Sequence, residues 1–316
     1  MLSLFATYGL QKEGSRLVEC RICPHNCGAA RTMGATGVCG ADAGLNVASV
    51  VMHHGEEPVI SGKNGICNVF FSCCNLRCIY CQNHQISDPS EAGYTGTMEF
   101  EEVMDCIIVA LKGGSPNLGF VTPSHMVPQM LLLIRAVRSQ GYDPVIVYNT
   151  NAYERAEEID RLEDIVNVWL PDFKYSDPGL ALKLSGAPDY PSIASDAIWR
   201  MYRQKGTTLR MEGDIAVSGL IIRHLVLPGH VANSIGVLRE IERRIGTDVH
   251  ISLMSQYHPN PSTAHDPVLG RTLYAEEYAQ VVEEMDRLGF HRGWVQSLDS
   301  PANYQPDFGS GQPFGD

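Results

Sequence analysis

The cysteines constrain this chain more than any other feature. Four stand at Cys20, Cys23, Cys27 and Cys39, five at Cys67, Cys73, Cys74, Cys78 and Cys81, and Cys106 is the last. A disulfide framework suits small secreted domains that cannot build a core. This chain has 316 residues, opens without a basic leader or a small-residue cleavage site, and spaces most of its cysteines a few residues apart. In an intracellular protein such spacing reads as ligation of a metal or an iron–sulfur centre. A cytoplasmic location is therefore expected. A net charge of −12 argues against a grip on nucleic acid, which needs a basic footprint. No apolar run is long enough to suggest a membrane span.

Periodicity divides the chain in three. Residues 1–64 read as a Cys-rich, loop-dominated module, within which His53-His-Gly-Glu-Glu-Pro58 reads as a polar connecting loop. Residues 65–298 alternate short apolar runs, such as Pro144–Asn149 and Leu220–Leu227, with helical stretches near 99–112, 126–138, 177–184, 192–204, 231–244 and 274–288. Residues 299–316, rich in Pro, Gly and Asp, read as a flexible tail. Strand–helix alternation of this kind implies an α/β fold of parallel strands with right-handed crossovers, a partial or full TIM-like (β/α) barrel. The rival, a doubly wound sheet, would want a G-x-G-x-x-G opening a helix, and none occurs. In a barrel the chemistry sits at the C-terminal ends of the strands. The polar motifs obey that rule: CCNLRCIYC, TPSH, NTNAY, PDFKY, PGH and SQYHP each follow an apolar run.

Cys74-x3-Cys78-x2-Cys81 places three thiols on one tight loop. Clusters are normally held by four cysteines, so three leave one iron open, as a catalytic centre requires. A structural zinc knot, completed by Cys73, Cys67 or His84, is the other reading. The stretch from Phe70 to Asn83 resembles the signature of the radical S-adenosylmethionine (SAM) superfamily, and most of all the pyruvate formate-lyase-activating enzyme and its uncharacterised relatives. The resemblance runs over roughly 65–260 and implies a [4Fe–4S] cluster on Cys74, Cys78 and Cys81, with Tyr80 near the adenine of SAM. Thr150-Asn151 is similar to a D-T-N segment of those activases. Asp172-Phe-Lys174 is similar to a D-x-K segment that contacts SAM and a monovalent cation. Arg223 sits in a strand like one ending in V-P-G, and Tyr257-His258 matches a Y-H pair. Three departures stand out. Cys73 occupies a position that is usually Gly. Asn149 stands where the activases have Asp. Thr122-Pro-Ser124 replaces the G-G-E segment that receives the SAM ammonium, leaving Thr122 and Ser124 as acceptors. By the same resemblance Lys174 and Arg223 are the cations for the SAM carboxylate, and His258 meets the ribose or carboxylate.

The implied reaction is reductive cleavage of SAM at the cluster to a 5′-deoxyadenosyl radical, which abstracts hydrogen from a substrate. Activation of a glycyl-radical enzyme, a protein substrate, is one version. A flavodoxin- or ferredoxin-type donor is implied, because the electron must come from outside. A reading from another class is a non-catalytic zinc or iron–sulfur binding or electron-transfer protein. Cys20, Cys23, Cys27 and Cys39 form a second ligand set, suited to zinc or to a second iron–sulfur cluster. Cys106 falls on the apolar face of a helix and reads as core.

Overall fold

A computed structural model describes residues 1–88, 97–298, 305–310 and 313–314. Nine strands form one sheet: β1 Val47–His53, β2 Ile66–Phe71, β3 Asn117–Val121, β4 Val145–Thr150, β5 Val168–Pro171, β6 Arg210–Glu212, β7 Ile215–Leu225, β8 His250–Met254 and β9 Gly293–Val295. Their order is β1-β2-β3-β4-β5-β7-β8-β9, with β6 paired to β7 off this path. From β2 to β9 every neighbouring pair on the path is parallel, while β1 joins β2 antiparallel. Helices Phe100–Lys112, Val127–Ser139, Ala156–Arg161, Val231–Arg244 and Ala275–Leu288 fill single crossovers; Pro178–Ser185 and Tyr190–Lys205 share one. The path has two ends, β1 and β9, so the barrel is partial.

The inner strands are apolar because both of their faces are covered. Every residue of β2, β3 and β5 is buried. One large core lies between the sheet and its helices and takes in Phe5, Leu17 and Ile22 from the N-terminal module. A second cluster gathers Val147, Val168, Leu170, Ala216 and Ile221 around Ile60. Ile60 belongs to the one-turn helix Pro58–Ser61, in the connection from β1 to β2. That helix meets β7 as well as the Asn117 side chain of β3, which donates 2.6 Å to the Ile60 carbonyl. Contact with strands this far apart in the sheet requires the sheet to curl around it, so Pro58–Ser61 plugs the barrel.

Two boundaries differ from the sequence reading. The connecting segment His53–Pro58 leads into the plug, and besides exposed His54 and Pro58 it carries two carboxylates with buried side chains, Glu56 and Glu57. The N-terminal region also contributes β1 to the sheet. The flexible-tail reading covers residues 299–304, 311–312 and 315–316, which lie outside the described residues. Its described part packs: Phe308 is buried against Phe70 at 5.3 Å between ring centroids, and Phe314 sits 4.2 Å from His53. Two aromatic rings supply the apolar contact that the Pro/Gly/Asp composition concealed.

Candidate functional site

The C-terminal ends of β2, β3 and β4 share a backbone signature. Cys73, Thr122 and Ala152 follow those strands with φ of 67°, 55° and 60°. Non-glycine residues rarely adopt such angles, and when they do they often mark functional loops. At Cys73 the chain turns left-handed before it presents Cys74.

These loops, with those after β5, β7 and β8, open onto one cavity. Its lining includes Cys74, Cys78, Tyr80, Cys81, Thr122, Asn149, Thr150, Asn151, Asp172, Lys174 and Arg223, together with His53, Glu56, Gln82, Gln256 and Phe314. Among the described cysteines none forms a disulfide. Each sulfur of the triplet accepts hydrogen bonds. Cys74 Sγ accepts from the Leu76 amide at 3.4 Å and from Asn151 Nδ2 at 3.5 Å. Cys78 Sγ accepts from Ser185 Oγ at 2.9 Å, and Cys81 Sγ from Ser87 Oγ at 3.4 Å. Burial pushes the Cys78 thiol up to about 11, against the pull of Lys174, and raises Cys74 and Cys81 too. Among the described residues no three His, Cys, Asp or Glu side chains converge closely enough to share one metal ion.

Tyr80 is buried between Tyr175 and Tyr257, and the Tyr175 hydroxyl lies 2.7 Å from that of Tyr80 and 2.6 Å from Ser185 Oγ. An aromatic at position 80 is thus wired to the Cys78 sulfur through two hydroxyls. Tyr190 clamps the neighbouring loops: its hydroxyl contacts the Asn151 and Asp172 carbonyls at 2.9 and 2.7 Å.

Both expected cations reach the cavity, each already paired. Lys174 Nζ lies 2.6 Å from Asp172 Oδ2. Burial works to lower the Lys174 ammonium, but Asp172 foremost holds it well above its ordinary value, so it stays charged. Arg223 lies 3.0 Å from both Glu56 and Glu57. Burial opposes its charge and the two glutamates more than restore it. Asn68 Nδ2 donates to Glu56 at 2.8 Å, which fixes that carboxylate from β2. Three carboxylates therefore face two cations. Glu56 and Glu57 were missed in the sequence because they lie far from the triplet; the only signal was the acidic pair just before a proline.

Other expected residues fall elsewhere. Ser124 does not line the cavity; it is buried behind Thr150, 3.1 Å from its hydroxyl, because Pro123–His125 coils into a turn that points it inward. His258 is exposed in an adjoining cleft, with Nδ1 2.8 Å from the Pro259 carbonyl, because the loop after β8 turns away from the cavity. Its neighbour Tyr257 is buried and donates to the Leu269 carbonyl at 2.7 Å. Cys20, Cys23, Cys27 and Cys39 lie in a separate group. Cys106 is half-buried on its helix.

No family profile matches the chain. An uncharacterized protein of Methanocaldococcus jannaschii is 25% identical over 269 residues, covering 84% of this chain and 73% of that one. Among solved structures, native anSMEcpe with bound AdoMet aligns with a TM-score of 0.47 and 13% identity over 73% of this chain. Streptococcus suis SuiB bound to precursor peptide SuiA aligns with a TM-score of 0.48 and 10% identity over 74% of this chain. The chain spans 59% and 49% of those two solved chains.

Proposed function

We propose that this chain is a radical SAM enzyme. The observation that carries the reading is the set of three sulfurs, Cys74, Cys78 and Cys81, on one cavity wall at the C-terminal end of β2, each accepting hydrogen bonds. Thiolates that ligate metal are stronger acceptors than thiols, and donors aimed at sulfur are how proteins tune iron–sulfur centres. These residues fit a [4Fe–4S] cluster with one iron left for substrate. When bound, the cluster supplies the electron that cleaves SAM.

The chain's own residues then have distinct tasks. Tyr80 offers a buried ring edge to the adenine. Asp172 and Lys174 present opposite charges 2.6 Å apart, matched to an amino acid's ammonium and carboxylate. SAM carries a sulfonium besides those two groups, so its net charge is positive. Three carboxylates against two cations complement it. Phe314 and Phe70 close the apolar flank and keep water from the reacting centre.

The activase version, with a protein as hydrogen donor, draws its support from Thr150-Asn151 and Asp172-Phe-Lys174 at the ends of β4 and β5. An external flavodoxin- or ferredoxin-type donor belongs to the same reading, as does a cytoplasmic setting. The test is anaerobic reconstitution, followed by dithionite and SAM with chromatographic detection of products. Expected are a brown protein that releases 5′-deoxyadenosine and methionine, and a Cys78→Ala variant that releases neither. A colourless protein that leaves SAM intact would overturn the reading.

A further inference from the structure

The second cysteine group has its own architecture. Cys20 and Ala29 form an isolated antiparallel bridge, closed by hydrogen bonds of 3.0 and 2.9 Å, and the loop between them carries Cys23 and Cys27. The chain then makes the short turn Arg31–Met33 and returns to Cys39. Burial raises the thiols of Cys23 and Cys39, and their neighbouring cysteines add to it.

Gly37 keeps this space clear. A Cβ there would lie 2.9 Å from Cys27 Sγ and 3.6 Å from Cys39 Sγ. Its backbone is not left-handed, so the position does not need glycine for conformation. It needs glycine for room beside two sulfurs.

Arg31 supplies the second observation. It is 1% exposed, yet among the described residues no ion pair joins its guanidinium to a carboxylate. Its partners are Cys20 Sγ at 3.8 Å, the Asp42 and His125 carbonyls at 2.8 and 2.7 Å, and Met126 Sδ at 3.1 Å. A buried cation without a counter-charge is costly. Four neutral thiols do not offset it. Four thiolates around an iron–sulfur core do, because the thiolate charge exceeds that of the core.

We propose that Cys20, Cys23, Cys27 and Cys39 hold a second iron–sulfur cluster, with Arg31 as its buried counter-charge. The group docks against the back of the Cys74–Cys81 loop. His25 Nε2 lies 2.7 Å from the Asn75 carbonyl, and Arg77 Nη2 donates to the Val38 carbonyl at 2.6 Å.

The test uses the full chain carrying Cys74→Ala, Cys78→Ala and Cys81→Ala together, reconstituted anaerobically with iron and sulfide. Iron, acid-labile sulfide and zinc are then measured, with Mössbauer spectra. The expected result is a brown variant that keeps about half the wild-type iron and sulfide, and loses it when Cys27→Ala is added. A variant without iron, or one carrying zinc alone, overturns the proposal. If the triple variant does not fold, the wild-type chain decides: iron for two clusters supports the proposal, and iron for one overturns it. Gly37→Val in the wild-type background should halve the iron; unchanged iron would count against the cradle. SAM cleavage plays no part in these readouts, so this proposal and the proposed activity can fail separately.

Discussion

Ser185 has no chemistry of its own, yet it donates to the Cys78 sulfur from 107 positions away along the chain. Hydrogen bonds to sulfur stabilise the more electron-rich state of an iron–sulfur centre. In the reconstituted protein, Ser185→Ala should move the reduction potential negative. A bond contributing about 1 kcal/mol corresponds to roughly 40 mV for one electron. A redox titration followed by electron paramagnetic resonance measures this, and an unmoved potential would remove Ser185 from the site. Glu154 carries a different kind of prediction. Burial pushes its carboxyl up to about 7, although hydrogen bonds from Ser124, Thr150 and Tyr148 pull it down. The folded chain therefore keeps a proton that the unfolded chain releases near 4.5. Stability from this group is complete below that pH and is lost as pH rises through about 7. Denaturation curves at several pH values should show the wild type losing about 3 kcal/mol relative to Glu154→Gln by pH 8. Parallel curves for the two proteins would contradict it. The triplet was legible in the sequence because its ligands share one loop. Ser185 and Glu56 were not, because Glu56 meets Arg223 across 167 residues and no local pattern encodes such a contact.

At the scale of elements, the strand–turn motifs were readable because parallel strands bury both faces and leave polar residues only at their ends. Strand β1 was not. Its register is broken between Val47 and Ser49, and its middle is half-exposed, so the run neither alternates nor stays apolar. Missing β1 also hid the plug behind it. The plug depends on β3: a Cβ on Gly119 would stand 2.0 Å from Asn68 Oδ1, the side chain that holds Glu56. Gly119→Ala should therefore push Asn68 aside and loosen the Glu56–Arg223 pair. A cost of about 1–3 kcal/mol is expected, measured by urea denaturation, with SAM binding weakened in parallel. Unchanged stability and binding would mean that Asn68 can move freely, against its burial.

For the whole molecule, the partial barrel was legible from alternation, whereas the fate of the C-terminal residues was not, because composition says nothing about where two phenylalanines can dock. Phe308 and Phe314 cover Phe70 and the apolar side of the cavity. Replacing both with alanine should cost about 2 kcal/mol and lower the melting temperature by roughly 3 °C. Dye binding to the uncovered patch should rise. A variant that melts with the wild type would show the rings to be passengers.

The sheet has two free margins, β1 and β9, and so its ring has a seam. A closed ring is a well: whatever reaches its floor must descend along the axis, which suits a small molecule. A ring with a seam is instead closed in part by whatever packs along its margin. Here that packing comes from the chain itself: the rings of Phe308 and Phe314 lie on the β1–β2 side, against Ala48, Val51 and Phe70.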